Sequence, residues 1–425
     1  MDTLRTQMEL LAPAGGPEQL DYAIRYGADA VYLAADKFGM RAKATNFTFE
    51  QLKSAVQRAH AAGTKVHLTC NIAFHEHQLA ELPAFLEQAE DVGVDALIIG
   101  DLGAFSLARR YAPRTEIHVS TQASVCNSEA AKMWHSLGAK RIVAAREMSL
   151  ADLARMRQEM PSDLELEAFV HGAMCMAYSG RCLVSDFMTR DRSGIHGNCA
   201  QSCRWEFNIT EPRRKDLYFP VKEDENGSYL LNAEDLCMLE HLADLREAGI
   251  DSIKIEGRNK KAYYVACVVN AYRQVLDGAR PEAFLRELDC VSHRPYSTGF
   301  YYGMAHQTSE QLTYLRNTDW AGQIISCQPL SDGRYQVEFR CRSKFALAGE
   351  FELLRPHKPV QPLQMSDLLH IPDSRYDIPQ PRTPEDWEPA HREPYAVDEA
   401  NHPGERYFAV ISEPAEPFDI IRVLR

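Results

Sequence analysis

Residues 27–34 read GADAVYLA: a glycine, two spacer residues, then a short apolar run. The same phrase returns as GTKVHLTC at 63–70, GVDALIIG at 93–100, GAKRIVAA at 138–145 and GIDSIKIE at 249–256. A glycine in that place suits the left-handed residue that ends a helix, and the run after it suits a strand buried on both faces. Stretches such as PEQLDYAIRY at 17–26, FEQLKSAVQRAHAA at 49–62 and LPAFLEQAEDV at 82–92 space their apolar residues for one face of a helix. MELLAPA at 8–14, EIHVSTQ at 116–122 and LELEAFVHG at 164–172 supply three more strands. Eight strands alternating with helices predict an α/β fold with a parallel sheet. Eight such units favour a closed, TIM-like (β/α)8 barrel, with an open doubly wound sheet as the alternative.

Side chains alternate across a strand. His118, Ser120 and Gln122 share one face, as do His67, Thr69 and Asn71; Ser252, Lys254, Glu256 and Arg258; and Glu165, Glu167, Phe169 and His171. Helices must cover the apolar faces, so these polar faces are predicted to point into the barrel. A polar lumen is costly unless its groups are paired. The pattern therefore signals either a binding cavity or a satisfied network without a ligand. The strand ends where barrel sites lie carry Asn71, Asp101, Gln122, Arg146, Glu147, His171, Glu256 and Arg258. From rim position, His171, Glu256 and Arg258 are the candidate catalytic residues, the first two for proton transfer. Arg146, Gln122 and Asn71 are candidate substrate-binding residues, together with Arg204 in the loop that follows. Arg146 and Arg258 suit carboxylates.

Residues 172–248 separate the seventh strand from the eighth, far more than the ~2–6 residues of a usual βα connection. This insertion holds Cys175, Cys182, Cys199 and Cys203, four of the chain's 11 cysteines, spaced C-x6-C-x16-C-x3-C. Structural zinc sites use closer pairs at both ends, and loose loop-borne thiolates also suit an iron–sulfur cubane. Spacing leaves the two open. Cys237 is a spare fourth ligand, but its place in AEDLCMLEHLADLREAG, read as a helix, favours a buried apolar role. EFNITEP in the same insertion reads as a β-segment. The chain carries a net charge of −13, which argues against a protein coated in basic residues for nonspecific nucleic-acid binding. Locally the balance reverses: residues 181–215 hold seven basic and four acidic side chains.

The barrel is assigned to residues 1–285, including the insertion, with NKKAYYVACVVNAYRQVLDG as its closing helix. Residues 286–315 are assigned as a linker. Residues 316–425, with alternating runs and turns, are expected to form a small β-barrel domain in which 355–395 is proline-rich and irregular. Nothing approaches the ~18 consecutive apolar residues of a transmembrane helix, so no membrane partner is expected. No signal peptide is read at the N-terminus, and the expected location is cytoplasmic.

The run EAFVHGAMCMAYSGRCLVS, from Glu167 to Ser185, resembles the signature of the collagenase-like U-32 peptidase family. The likeness extends over MELLAPAGG, YGADAVYL, VSTQASVCN, GNCAQSCRWEF and SIKIEGRNKKAYYVACVVNAYR, nearly the whole barrel. The family includes proteins first described as collagenases. It also includes oxygen-independent hydroxylases of tRNA, ribosomal RNA or ubiquinone precursors that carry a four-cysteine iron–sulfur cluster. Cys203, followed by Arg204-Trp205, resembles the tRNA branch. That branch implies 5-hydroxyuridine formation at the wobble position, a 4Fe–4S cluster on Cys175, Cys182, Cys199 and Cys203, and prephenate as hydroxyl donor. With tRNA as partner, Arg181, Arg190, Arg204, Arg213, Arg214, Lys260 and Lys261 are the expected phosphate contacts, and Tyr178 or Trp205 a surface for stacking. The alternatives are a peptidase with a cysteine nucleophile paired to His171 and a zinc-stapled RNA-binding module. Oligomeric state is left open between a lone chain, a homo-oligomer and a pair with a paralogous subunit.

Overall fold

The structure is a computed structural model that describes residues 8–40, 45–175, 177–178, 181–189, 192–194, 197–205, 209–210, 218–219, 233–303, 305, 314–371 and 393–425 of the chain. Eight parallel strands follow in order: β1 (Glu9–Pro13), β2 (Ala30–Leu33), β3 (Lys65–Cys70), β4 (Ala96–Ile99), β5 (Glu116–Val119), β6 (Arg141–Val143), β7 (Glu165–Ala173) and β8 (Ser252–Ile255). Each pairs with the next, and β8 pairs with both β7 and β1, Ser252 standing opposite Glu9. The sheet is closed, and the open alternative is excluded. The recurring glycines end helices as read: Gly63 and Gly93 have φ of 76° and 85°. At both, an added Cβ would meet no atom within 4 Å, so backbone conformation rather than crowding requires glycine.

The lumen is polar and paired. Arg141 reaches from β6 across the barrel floor to Glu9 at 2.5 Å, Glu165 at 2.7 Å and Glu167 at 3.0 Å. Glu167 also receives the ammonium of Lys254 at 2.8 Å, and Ser252 donates to Glu9 at 2.9 Å. Burial pushes the Glu9 carboxyl up, but the charge and hydrogen bonds of Arg141 outweigh it and hold the group well below the usual carboxylate range. His67 and His118 meet edge to face above this layer, with ring centroids 4.8 Å apart. Both are buried. Burial drives His67 down to about 3 and His118 well below its ordinary value, so both rings are neutral.

The closing helix Ala262–Leu276 is buried almost all round. In the insertion, the described residues include a short helix, Val184–Met188, and a hairpin of Ile209–Thr210 with Tyr218–Phe219, where EFNITEP was read as strand. The expected helix beginning at Ala233 is corrected. Asp235–Cys237 is a strand that pairs antiparallel with the end of β7, and helix begins only at Leu242 after a 3₁₀ turn. The long β7 leaves unpaired backbone beyond the barrel, and Asp235–Cys237 satisfies it. Asp235 Oδ1 also accepts from both Nε and Nη2 of the buried Arg294, at 3.0 and 2.7 Å.

The chain divides into two compact units. Residues 286–291, expected as linker, pack with the second unit, whereas 292–315 pack with the barrel. The second unit is a curled antiparallel sheet of eight strands, with Thr318–Pro329 and Tyr335–Cys341 at its centre. Its core gathers Ile324, Val337, Phe339, Leu353 and Tyr407. The fully buried Arg422 is held by Glu287 at 2.6 Å and Glu352 at 2.7 Å. The region expected to be irregular contains two ordered strands, Gln361–Leu363 and Met365–Ile371, while 372–392 lie outside the described residues.

The two neutral lumen histidines predict an acid weakness. Unfolded histidine takes up a proton near its ordinary value of 6.5, whereas folded His67 refuses one until about 3. Stability is complete above that ordinary value and is lost as pH falls through the interval between the two. Urea midpoints should decline steadily from about pH 7 to about pH 5; a flat profile would contradict the buried neutral pair.

Candidate active site

A cavity of about 360 Å³ opens at the C-terminal strand ends. Its floor is Lys254, bonded to Glu167 below and lying 4.4 Å from the ring centroid of Tyr32. Arg146, from the loop after β6, donates to the carbonyl of Ala173 at 2.9 Å, pairs with Glu256 at 3.3 Å and stacks 3.9 Å above Phe169. Arg258 crosses the lumen from beyond β8 to donate to Thr69 Oγ1 at 2.8 Å. Lys260 sits between the rings of Tyr264 and Tyr314, 5.0 and 5.3 Å from their centroids. Among the described residues the cavity therefore presents four cations, Arg146, Lys254, Arg258 and Lys260, against the one carboxylate of Glu256. On an acidic chain, this focuses positive potential where an anion would enter.

All four expected cysteines line this cavity. Cys175 follows directly on β7 and is exposed, while Cys182, Cys199 and Cys203 are half-buried. Ser185 stitches the loop between them: its buried hydroxyl accepts from Ala200 N at 2.8 Å and donates to Arg192 O at 2.7 Å. Gly194 is required there, since an added Cβ would lie 2.7 Å from the carbonyl of Cys182. The four thiols that line the cavity are soft donors of the kind an iron–sulfur cluster takes. Among the described residues, no three His, Cys, Asp or Glu side chains gather closely enough to hold a single ion.

Other rim candidates stand away from the cavity. His171 does not line the cavity. Between β7 and β8 the register shifts: Lys254 stands opposite Phe169, but Ile255 stands opposite His171. This bulge adds one residue, Val170, and reverses the alternation, so Phe169 faces the cavity while His171 turns outward. Its ring lies against Tyr272 and Tyr296, with centroids 5.5 and 5.3 Å away, and its Nδ1 meets the Tyr272 hydroxyl at 3.4 Å. Burial lowers it to about 3. Asp101 caps the helix Leu102–Tyr111 through Ala104 N at 2.9 Å. Cys237, half-buried on its strand opposite His171, does not line the cavity.

Asn71 and Gln122 both line the cavity, with different availability. Asn71 is occupied, accepting from Met40 N at 3.0 Å and donating to Ser120 Oγ at 3.3 Å. Gln122 Oε1 is buried and has no partner among the described residues. Tyr178 and Trp205 are exposed and outside the lining. Arg181 reaches Ser124 at 3.4 Å. The side chain of Arg204, and all of Arg190, Arg213 and Arg214, lie outside the described residues. Sequence reasoning did not single out Lys254 as a site residue, although it lay on the marked polar face. It had no signal for Tyr32, Met40 or Tyr314, which arrive from separate segments.

This is the architecture of a (β/α)8-barrel protein with its site at the strand ends, capped by a thiol-bearing insertion. The chain belongs to peptidase family U32, whose profile matches residues 15–311. It is 36% identical over 363 residues to tRNA hydroxylation protein P1 of Bacillus subtilis, covering 82% of this chain and 83% of that one. It is 32% identical over 399 residues to tRNA hydroxylation protein P of Escherichia coli, covering 82% and 86%. A 23S rRNA 5-hydroxycytidine synthase of Escherichia coli is 35% identical over 271 residues, 64% of this chain and 39% of that protein.

The placement of the thiols predicts their reactivity. In metal-free native protein, iodoacetamide should modify the exposed Cys175 and Cys126 first and Cys182, Cys199 and Cys203 next. The buried Cys70, Cys267 and Cys341 should react only on unfolding. Peptide mapping that finds Cys267 alkylated as fast as Cys175 would contradict this arrangement.

Proposed function

We propose that the chain is an RNA-modifying enzyme that hydroxylates a pyrimidine, forming 5-hydroxyuridine at the wobble position of tRNA with a 4Fe–4S cluster on Cys175, Cys182, Cys199 and Cys203. The observation that carries this reading is the meeting of four thiols and four cations around one cavity. The printed names of the relatives, two tRNA hydroxylation proteins and an rRNA 5-hydroxycytidine synthase, support RNA hydroxylation. A bound cluster would supply one-electron redox chemistry at the cavity wall. A cluster, ligated at its corners, also demands less convergence of thiols than one tetrahedral zinc ion.

The protein's own groups then take distinct parts. Arg146, Arg258 and Lys254 would bind and orient an anionic hydroxyl donor, with prephenate as the proposed molecule. Glu256, half-buried and paired to Arg146, would take up or deliver the proton. Phe169 and Tyr32 exclude water from the floor. His171 has no part in this chemistry. Its exclusion also weighs against a peptidase, because no histidine lines the cavity with the thiols among the described residues.

Two measurements test the reading. Anaerobically purified protein should be brown and contain about four irons per chain with matching sulfide; a colourless zinc protein would overturn the cofactor. RNA from a deletion strain without a paralogue should lack wobble 5-hydroxyuridine by mass spectrometry. Wild-type protein should restore it, and Cys199→Ser should not. His171→Phe should spare the reaction the ~10²-fold or greater loss that removing a general acid–base group brings, whereas Glu256→Gln should suffer it.

A further inference from the structure

The cavity has two walls of different chemistry. The ends of β6 and β8 contribute charge through Arg146, Lys254, Glu256 and Arg258, while the ends of β3 and β5 contribute neutral amides and hydroxyls. On the neutral wall, hydrogen-bonding capacity is largely used within the protein. Asn71 holds Met40 N and Ser120 Oγ. Ser120 Oγ also accepts from Gln122 N at 3.4 Å, and Thr69 Oγ1 accepts from Arg258. Gln122 Oε1 is the exception, buried in the lining without a partner among the described residues. The room for this side chain is built in: an added Cβ on Gly100 would stand 2.9 Å from Gln122 Cβ. A buried acceptor left unmet is unfavourable, so the place calls for an N–H from a ligand.

We infer that Gln122 reads the substrate base, its Oε1 accepting the imino N–H of uracil and its Nε2 donating to a neighbouring ring carbonyl. The inference rests on the reading of an RNA pyrimidine as substrate. A carboxylate co-substrate offers only acceptors at its charged groups and belongs with the cations Arg146, Lys254 and Arg258. A uracil ring is neutral and presents one N–H flanked by two carbonyls, which a carboxamide matches edge to edge. Recognition of unpaired bases along this edge is the usual route to specificity for RNA. Gln122 is thus assigned as a specificity residue that holds the ring while other groups carry the reaction.

The test is a double-mutant cycle between protein and ligand. The full-length, cofactor-loaded protein, kept anaerobic, is titrated with a short single-stranded oligoribonucleotide carrying one uridine, and with the same oligonucleotide carrying 3-methyluridine. Methylation removes the imino N–H. Wild type should bind the methylated probe about five- to tenfold more weakly, the loss of one neutral hydrogen bond. Gln122→Ala, checked for an unchanged melting temperature, should lose a similar factor for uridine and nothing further for 3-methyluridine. Additive losses, no discrimination by wild type, or no binding of the uridine probe would overturn the inference. If wild type hydroxylates uridine while the losses add, the reaction assignment stands and the role of Gln122 falls. If the losses are coupled but no RNA is hydroxylated, the reverse holds.

Discussion

Arg141 spans the barrel from β6 and holds carboxylates from β1 and β7 at once. Everything above it depends on that charge. Three buried or half-buried acids, Glu9, Glu165 and Glu167, cannot share a lumen unless cations meet them. Arg141 meets all three from below, and Lys254 meets Glu167 from above. Such a network contributes little net stability, because desolvation offsets much of the attraction. It does give the cavity a floor that is polar and fixed in orientation. Lys254 is held between a carboxylate beneath it and the ring of Tyr32 beside it, so it presents its charge at one place.

The second constraint is the bulge in β7. One extra residue lets the strand leave the barrel, pair with Asp235–Cys237 and deliver Cys175 to the cavity rim. The same shift turns His171 away from that rim into a cluster of tyrosines. A single backbone irregularity thus removes a histidine from the site and places a thiol beside it. The remaining thiols depend on a loop whose backbone is tied by the Ser185 hydroxyl. The candidate site is therefore a joint product of barrel and insertion, with charge and aromatic rings from the strand ends and sulfur from the loops.

The barrel was legible because its cause is local. Glycines at helix ends and short apolar runs recur with a period that only alternating strands and helices produce. The polar faces were legible for the same reason, since alternation along an extended strand is a covalent fact. The four cysteines declared themselves by clustering and by their place in an overlong connection. Alternation fails where the ladder carries a bulge, and nothing in LELEAFVHG announces one. AEDLCMLEHL has the composition of a helix, yet Asp235–Cys237 becomes a strand because the edge of β7 needs a partner. Which rim residues are already spent was also hidden. Asn71 and Gln122 look alike on paper, but packing occupies both ends of one amide and, among the described residues, leaves the oxygen of the other unmet. The sequence by itself determined the periodic elements, their polar faces and the thiol inventory, because these follow from neighbours in the chain. Only the tertiary structure decided which side chains share the cavity, because that turns on contacts between residues far apart in sequence.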